Sequence, residues 1–93
     1  MSVRIRYSFH ALQRMHQRRI TVDEIRYVVE NGTVIEDYPE DTPWPSKLRF
    51  AECNHRPLHI VSAWDEDEEQ EVIITVYEPD PCEWTDNYMR RAQ

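Results

Sequence analysis

Glycine is almost missing from this chain: Gly32 is the only one in 93 residues. That excludes the glycine-rich sites, because a P-loop, a GxGxxG turn and a GxSxG nucleophile elbow all need backbone unobstructed by side chains. Cysteine is nearly as scarce. Cys53 and Cys82 are too few for a disulfide framework and have no CxxC spacing, so a reducing cytoplasm is expected, with a single bridge between them left open. No apolar run approaches the ~20 residues that a membrane span needs. The N-terminal MSVRIRYSFH has no stretch long enough for the hydrophobic part of a signal peptide. Repeats and low-complexity linkers are lacking too. Basic residues are in deficit: 11 Lys and Arg stand against 18 Asp and Glu, for a net charge of -7. General nucleic-acid affinity is disfavoured, since counterion release needs a cationic surface.

What the chain does have is enough to fold. A hydrophobic fraction of 40%, with three Trp, five Tyr and two Phe, supports a core rather than disorder. The length fits one domain over residues 1–93, near the lower end of what a single core sustains. These features together read as a soluble, cytoplasmic, single-domain protein. Charge is distributed unevenly. Residues 1–26 hold six arginines (Arg4, Arg6, Arg14, Arg18, Arg19, Arg26) against Asp23 and Glu24, whereas residues 65–71 read DEDEEQE. The segment SFHALQRMHQRR, residues 8–19, carries two histidines and three arginines with no acid among them.

The periodicity gives two helices followed by strands. Ser8 can cap a first helix to about Arg18, with Phe9, Leu12 and Met15 at apolar i, i+3 spacing. Thr21 and Glu24 form a T-x-x-E capping box, with Ile20 and Ile25 at the positions of a hydrophobic staple, and Ile25, Val28 and Val29 form the second helix's stripe. Gly32 follows Asn31 where a left-handed C-terminal cap belongs. Strands are expected at 33–38, 47–53, 57–64 and 71–78, with the acidic run as a hairpin tip and a short helix over 84–91. The expected class is α+β: two N-terminal helices packed on a four-stranded antiparallel sheet, then a short C-terminal helix.

Alternation along the strands places Leu58 and Ile60 opposite His59, and Arg49 opposite Leu48 and Phe50. An apolar face of Leu, Ile, Phe and Val is expected to meet the helices, leaving Arg49, His59, Thr75 and Tyr77 on the other. On the first helix His10, Arg14 and Arg18 follow one another at i, i+4 spacing. Such a row is either a solvated helix face or an anion site, in which forked guanidinium donors grip a phosphate and an imidazole moves a proton. His59 is either a hydrogen-bonded structural residue or an acid–base group, and Tyr77 is a favoured strand residue in any case. Trp44, between prolines, either stacks a base or plugs the loop. Cys53, His55, His59 and Cys82 match no zinc spacing, so no metal and no cofactor are expected.

The segments FHALQRMHQRRI, a second helix ending ENG, VIEDYPED, RPLHIV and ITVYEPD, with the trailing Trp84, resemble the domain-of-unknown-function 4258 family of small bacterial proteins. The resemblance implies a RelE-like or barnase–EndoU-like fold and the toxin half of a type II toxin–antitoxin module. The activity so implied is a metal-independent endoribonuclease, an mRNA interferase. The implied partners are RNA and a cognate antitoxin, either a zinc-finger or a helix-turn-helix protein. The resemblance carries over His10, Arg14, Arg18, His59 and Tyr77. In a ribonuclease His59 would be base or acid with His10 or Tyr77 as its counterpart, and Arg14 and Arg18, joined by Arg49 from strand parity, would hold phosphate. Arg19 falls where such proteins often have glycine. The alternative is a non-catalytic protein- or anion-binding module whose basic helix docks an acidic partner.

Overall fold

A computed structural model describes residues 3–92. The elements in chain order are β1 (Ile5–Tyr7), α1 (Phe9–Arg18), α2 (Val22–Asn31), β2 (Thr33–Tyr38), β3 (Ser46–Cys53), β4 (Arg56–Asp65), β5 (Gln70–Tyr77), β6 (Trp84–Thr85) and β7 (Arg90–Arg91).

Local chemistry accounts for the helix boundaries. The Ser8 hydroxyl accepts from the Ala11 amide at 3.0 Å and donates to the Ile74 carbonyl at 2.9 Å, while the Ser8 amide donates to the Ile73 carbonyl at 3.0 Å. One residue thus both caps α1 and stitches its start to β5. The α2 capping box forms as expected: the Glu24 amide donates to the Thr21 hydroxyl at 3.1 Å and the Thr21 amide to the Glu24 carboxylate at 2.9 Å.

Glycine and the left-handed cap are exchanged relative to expectation. Arg19 ends α1 with φ 55°, whereas Gly32 ends α2 in an extended conformation at φ -73°. Gly32 is needed for space instead. A Cβ there would lie 2.5 Å from the Val28 carbonyl oxygen and 3.0 Å from that of Phe50.

The sheet differs from the expected four antiparallel strands. It has five, in the order β1-β5-β4-β3-β2, and is mixed: β1 runs parallel to β5, and the other neighbours are antiparallel. Three residues, Ile-Arg-Tyr, are too few to show a period, so β1 has no sequence signal. The expected C-terminal helix is replaced by the two-stranded β6–β7 hairpin. Asp86, Asn87 and Tyr88 have φ of 54°, 57° and 66°, and three consecutive left-handed residues cannot continue a right-handed helix. Asp-Asn is a turn signal that the surrounding helix formers obscured. The RelE-like arrangement is corrected on both counts.

The helices cover one face of the sheet. Ala11, Met15, Ile20, Ile25 and Val28 pack on Leu58, Ile60, Ile73 and Val76. On α1 the buried pair is therefore Ala11 and Met15, four residues apart, and the expected stripe is not the one used. Phe9 is 77% exposed and Leu12 49%. Small Ala11 lets the helix lie close to β5, which turns the two larger side chains outward. Among the described residues, no helix is long and apolar enough to cross a membrane.

Candidate functional site

Register decides which polar side chains meet. Phe50, His59 and Tyr77 are aligned across β3, β4 and β5, and they project away from the helices, because Leu58, Ile60 and Val76 occupy the core side. His59 is fully buried there. Its ring meets Phe50, Tyr77 and Trp84 edge to face, at centroid distances of 5.7, 5.3 and 4.4 Å. Nε2 lies 2.7 Å from the Tyr88 carbonyl oxygen and Nδ1 3.2 Å from the Tyr77 hydroxyl. A carbonyl oxygen can only accept, so Nε2 carries the proton and Nδ1 accepts from Tyr77. Both bonds suit a neutral ring. Burial is the main cause holding its pKa below the ordinary histidine value, against the Tyr88 carbonyl and the Glu36 charge, which favour the proton.

The cluster continues onto β2. Glu36 accepts from Arg91 Nε at 2.9 Å and Nη2 at 3.1 Å, and also from the Tyr38 hydroxyl. Arg91 lies over the Trp84 ring, 4.7 Å from its centroid. Burial opposes ionisation of Glu36, but the bonds from Arg91 and Tyr38 win and hold its carboxyl below the usual range. Burial pushes the Tyr77 phenol up. The constellation is thus carboxylate, imidazole, two phenols and a guanidinium, roofed by the β6–β7 hairpin.

The six expected site residues separate into three places. His59 and Tyr77 meet, as above. His10, Arg14 and Arg18 lie on α1, which packs on the opposite face of the sheet, so they do not share a pocket with His59. Arg49 is paired in register with Ile60 and so lies on the helix side, where Nη1 donates to the Ser62 hydroxyl at 2.5 Å and to Glu71 at 3.1 Å. The expected grouping of Arg49 with His59 is corrected: Phe50 holds that position beside the imidazole. Glu36, Tyr38, Trp84, Tyr88 and Arg91 were missed. Glu36 and Tyr38 share strand parity and could have been noticed; the hairpin residues had no pattern to announce them.

The α1 surface is a second candidate. At about 100° per residue, Phe9, Leu12 and His16 fall within about 60° of one another on the outward side. His10, Arg14 and Arg18 form a separate row, about 100–180° round the helix from Phe9. Among the described residues, neither Arg14, Arg18 nor Arg19 makes an ion pair. Among the described residues the acidic run pairs with none of them, and it lies far from Arg18 and Arg19. Arg56, which starts β4, donates to the Arg18 and Arg19 carbonyls at 3.1 and 3.3 Å, whereas the run begins at Asp65, where β4 ends. At about 3.3 Å per residue the strand separates the two ends by roughly 30 Å. His16 and Arg18 do complement the negative end of the α1 dipole, a benefit of a few tenths of a kcal/mol up to about 1. Among the described residues, no three His, Cys, Asp or Glu side chains are grouped as metal ligands would be.

A profile of the family described as Domain of unknown function (DUF4258) matches residues 7–78, more than three-quarters of the chain. The chain belongs to this family. No curated protein and no solved structure matches it. The DUF4258 region runs from Tyr7 through β5, so it includes α1, Glu36, Tyr38, His59 and Tyr77. It stops before the β6–β7 hairpin that seals His59.

Proposed function

We propose that this DUF4258 protein is a partner-binding module whose α1 docks an acidic, amphipathic segment of another protein. Phe9, 77% exposed on a helix whose Arg14 and Arg18 make no ion pair among the described residues, is the observation that carries this reading. A large aromatic side chain that remains in water is an anchor awaiting a pocket. The cations on the same helix choose a partner of opposite sign and speed its approach. A net charge of -7 disfavours a polyanion such as RNA as the occupant, because the rest of the surface would repel it. In the toxin–antitoxin setting that the sequence resemblance implies, the segment would belong to the antitoxin.

The test is to ask whether the reading frame beside this gene encodes a small antitoxin-like protein and to titrate that product against this chain by calorimetry. Wild type is expected to bind at micromolar Kd or tighter, with affinity falling as salt rises. Phe9→Glu and Arg14→Glu should each weaken binding at least about 10-fold, since a buried aromatic anchor or a desolvated charge pair contributes about 1.4 kcal/mol or more. Variants that bind as tightly as wild type would refute the assignment.

A second reading has its own support. The Glu36–His59–Tyr77 cluster contains the base, acid and cation types that metal-independent cleavage of RNA requires, in which a base takes the 2'-hydroxyl proton and an acid protonates the leaving 5'-oxygen. His10, Arg14 and Arg18 have no part in it, and the hairpin must open before substrate can reach His59. Assaying RNA cleavage by the full chain beside the Glu36→Gln and His59→Gln variants, which leave the hairpin and Arg91 in place, tests this reading. A wild-type protein that leaves RNA intact, or variants that cleave it as fast as wild type, removes it.

A further inference from the structure

Beyond α1 and the His59 cluster, the helix side of the sheet carries a cleft of about 210 Å³ near the acidic hairpin tip. Lys47, Arg49, Ser62, Trp64, Glu66 and Glu71 line it. We infer that it is a binding site for a small, flat carboxylate, gripped by Arg49 and laid against Trp64.

The first support is the state of Arg49. Its guanidinium is largely buried, and Nη1 is pinned between the fully buried Ser62 hydroxyl at 2.5 Å and Glu71 at 3.1 Å. Both hydrogens of Nη1 are used. Among the described residues the Nε and Nη2 donors bond to nothing, and no buried side-chain nitrogen or oxygen lacks a partner. Those two donors therefore face water. The Nε–Nη2 edge is the geometry that takes a carboxylate through two parallel bonds. Because Ser62 and Glu71 already fix the plane, little freedom remains to be lost on binding. A largely buried ion pair is poor evidence of a stability role, since apolar residues of similar volume serve at least as well.

The second support is Trp64, which leaves 43% of its surface in solvent two residues along β4 from Ser62. An indole face beside a forked cation suits a ring that bears an acid. Charge narrows the class further. Lys47 and Arg49 are balanced by Glu66 and Glu71, so the lining is neutral and favours a monoanion over a phosphate dianion. The volume lies below the range of drug-sized pockets, which limits the ligand to one or two rings. A free aromatic acid and the C-terminal carboxylate of a peptide ending in an aromatic residue present the same chemistry.

The experiment is a titration of the ¹⁵N-labelled full chain followed by NMR. The probes are indole-3-acetate, its uncharged acetamide, phenyl phosphate, and the tripeptide Ala-Ala-Trp with a free or amidated C-terminus. Indole-3-acetate or the free-acid peptide should saturate shifts at the Trp64 indole and the Lys47–Arg49 amides with Kd between about 0.1 and 1 mM. The tighter of the two identifies the source. The acetamide and amidated peptide should bind at least 10-fold more weakly, as should phenyl phosphate. Arg49→Lys, which keeps the charge but loses the fork, should weaken the acid at least 10-fold; Trp64→Leu at an exposed position does so without touching the buried trio. The site is overturned by shifts that fail to saturate at about 5 mM acid, by equal affinity for acid and amide, by tighter phosphate binding, or by a Trp64→Leu protein that binds as wild type.

Discussion

Replacing Arg56 with methionine should destabilise the fold by about 2–3 kcal/mol, and the reason is a junction of three segments. From the first position of β4, Nη2 reaches the Glu24 carboxylate at 2.6 Å and the Arg19 carbonyl at 3.3 Å, while Nη1 reaches the Arg18 carbonyl at 3.1 Å and Glu78 at 3.2 Å. Glu24 leaves only 8% of its side chain exposed. Losing the charged donor to it removes a charge-assisted bond of about 1.5–3 kcal/mol. Thr21 still donates to Glu24, which keeps the loss at the lower end of that range. The two helix-end carbonyls add about 0.5–1 kcal/mol, because water can replace the arginine there. Glu78 is exposed and contributes little. For a chain of this length the sum lowers Tm by about 10–20 °C.

pH supplies the check on mechanism. Burial raises the Glu24 carboxyl, but the bonds from Thr21 and Arg56 outweigh it, so its folded pKa lies below the ordinary 4.5. The stability it confers is present above that value and lost as pH falls through the folded pKa. The Arg56→Met penalty should therefore shrink in acid. Urea unfolding at pH 7 and pH 3 measures both quantities. A penalty under about 0.5 kcal/mol at pH 7, or one unchanged in acid, would refute the reasoning.

Two further substitutions probe single elements. Arg19→Gly should stabilise the protein by about 0.5–1 kcal/mol in chemical denaturation, because it relieves a side chain held at φ 55° while the Arg19 carbonyl keeps its bond to Arg56. A loss of stability would show that the arginine side chain has work of its own. His59→Gln should cost about 2 kcal/mol at pH 8, through loss of two bonds in a buried site. Burial lowers the folded pKa below 6.5, so the unfolded chain takes up the proton first and native stability falls as pH drops through about 6.5. The penalty of His59→Gln should accordingly diminish between pH 8 and pH 5, which denaturant titrations at both values will show; a constant penalty would refute the neutral, doubly bonded imidazole.

Where an element announced itself by local chemistry, it was legible. The Ser8 cap and the Thr21–Glu24 box are two- to four-residue arrangements whose partners lie close by in the chain, and both form. The four longer strands also appear within a residue of their expected limits. What failed depended on distant partners. β1 exists because β5 offers an edge, and Ala11 rather than Leu12 is buried because of how closely α1 approaches that edge. Face parity was right for His59 and Tyr77. It failed for Arg49, since alternation within β3 fixes which residues oppose one another but not which side meets the helices. The site was half visible for the same reason. The imidazole and phenol lie on regular strands, while their roof is a hairpin whose three left-handed residues carry no hydrophobic period.

The bond from Ser8 to Ile73 joins residues that a ribosome produces well apart in time. At about 5–20 residues per second, roughly 3 to 13 seconds separate their synthesis. For most of that interval Ala11, Met15, Ile25 and Val28 lack their sheet partners, because Leu58 and Ile60 come late and Ile73 and Val76 later still. Isolated helices of ten residues are marginal in water. The nascent chain can therefore complete its core only after β5 emerges, and a chaperone that shields its early apolar residues would act before that moment.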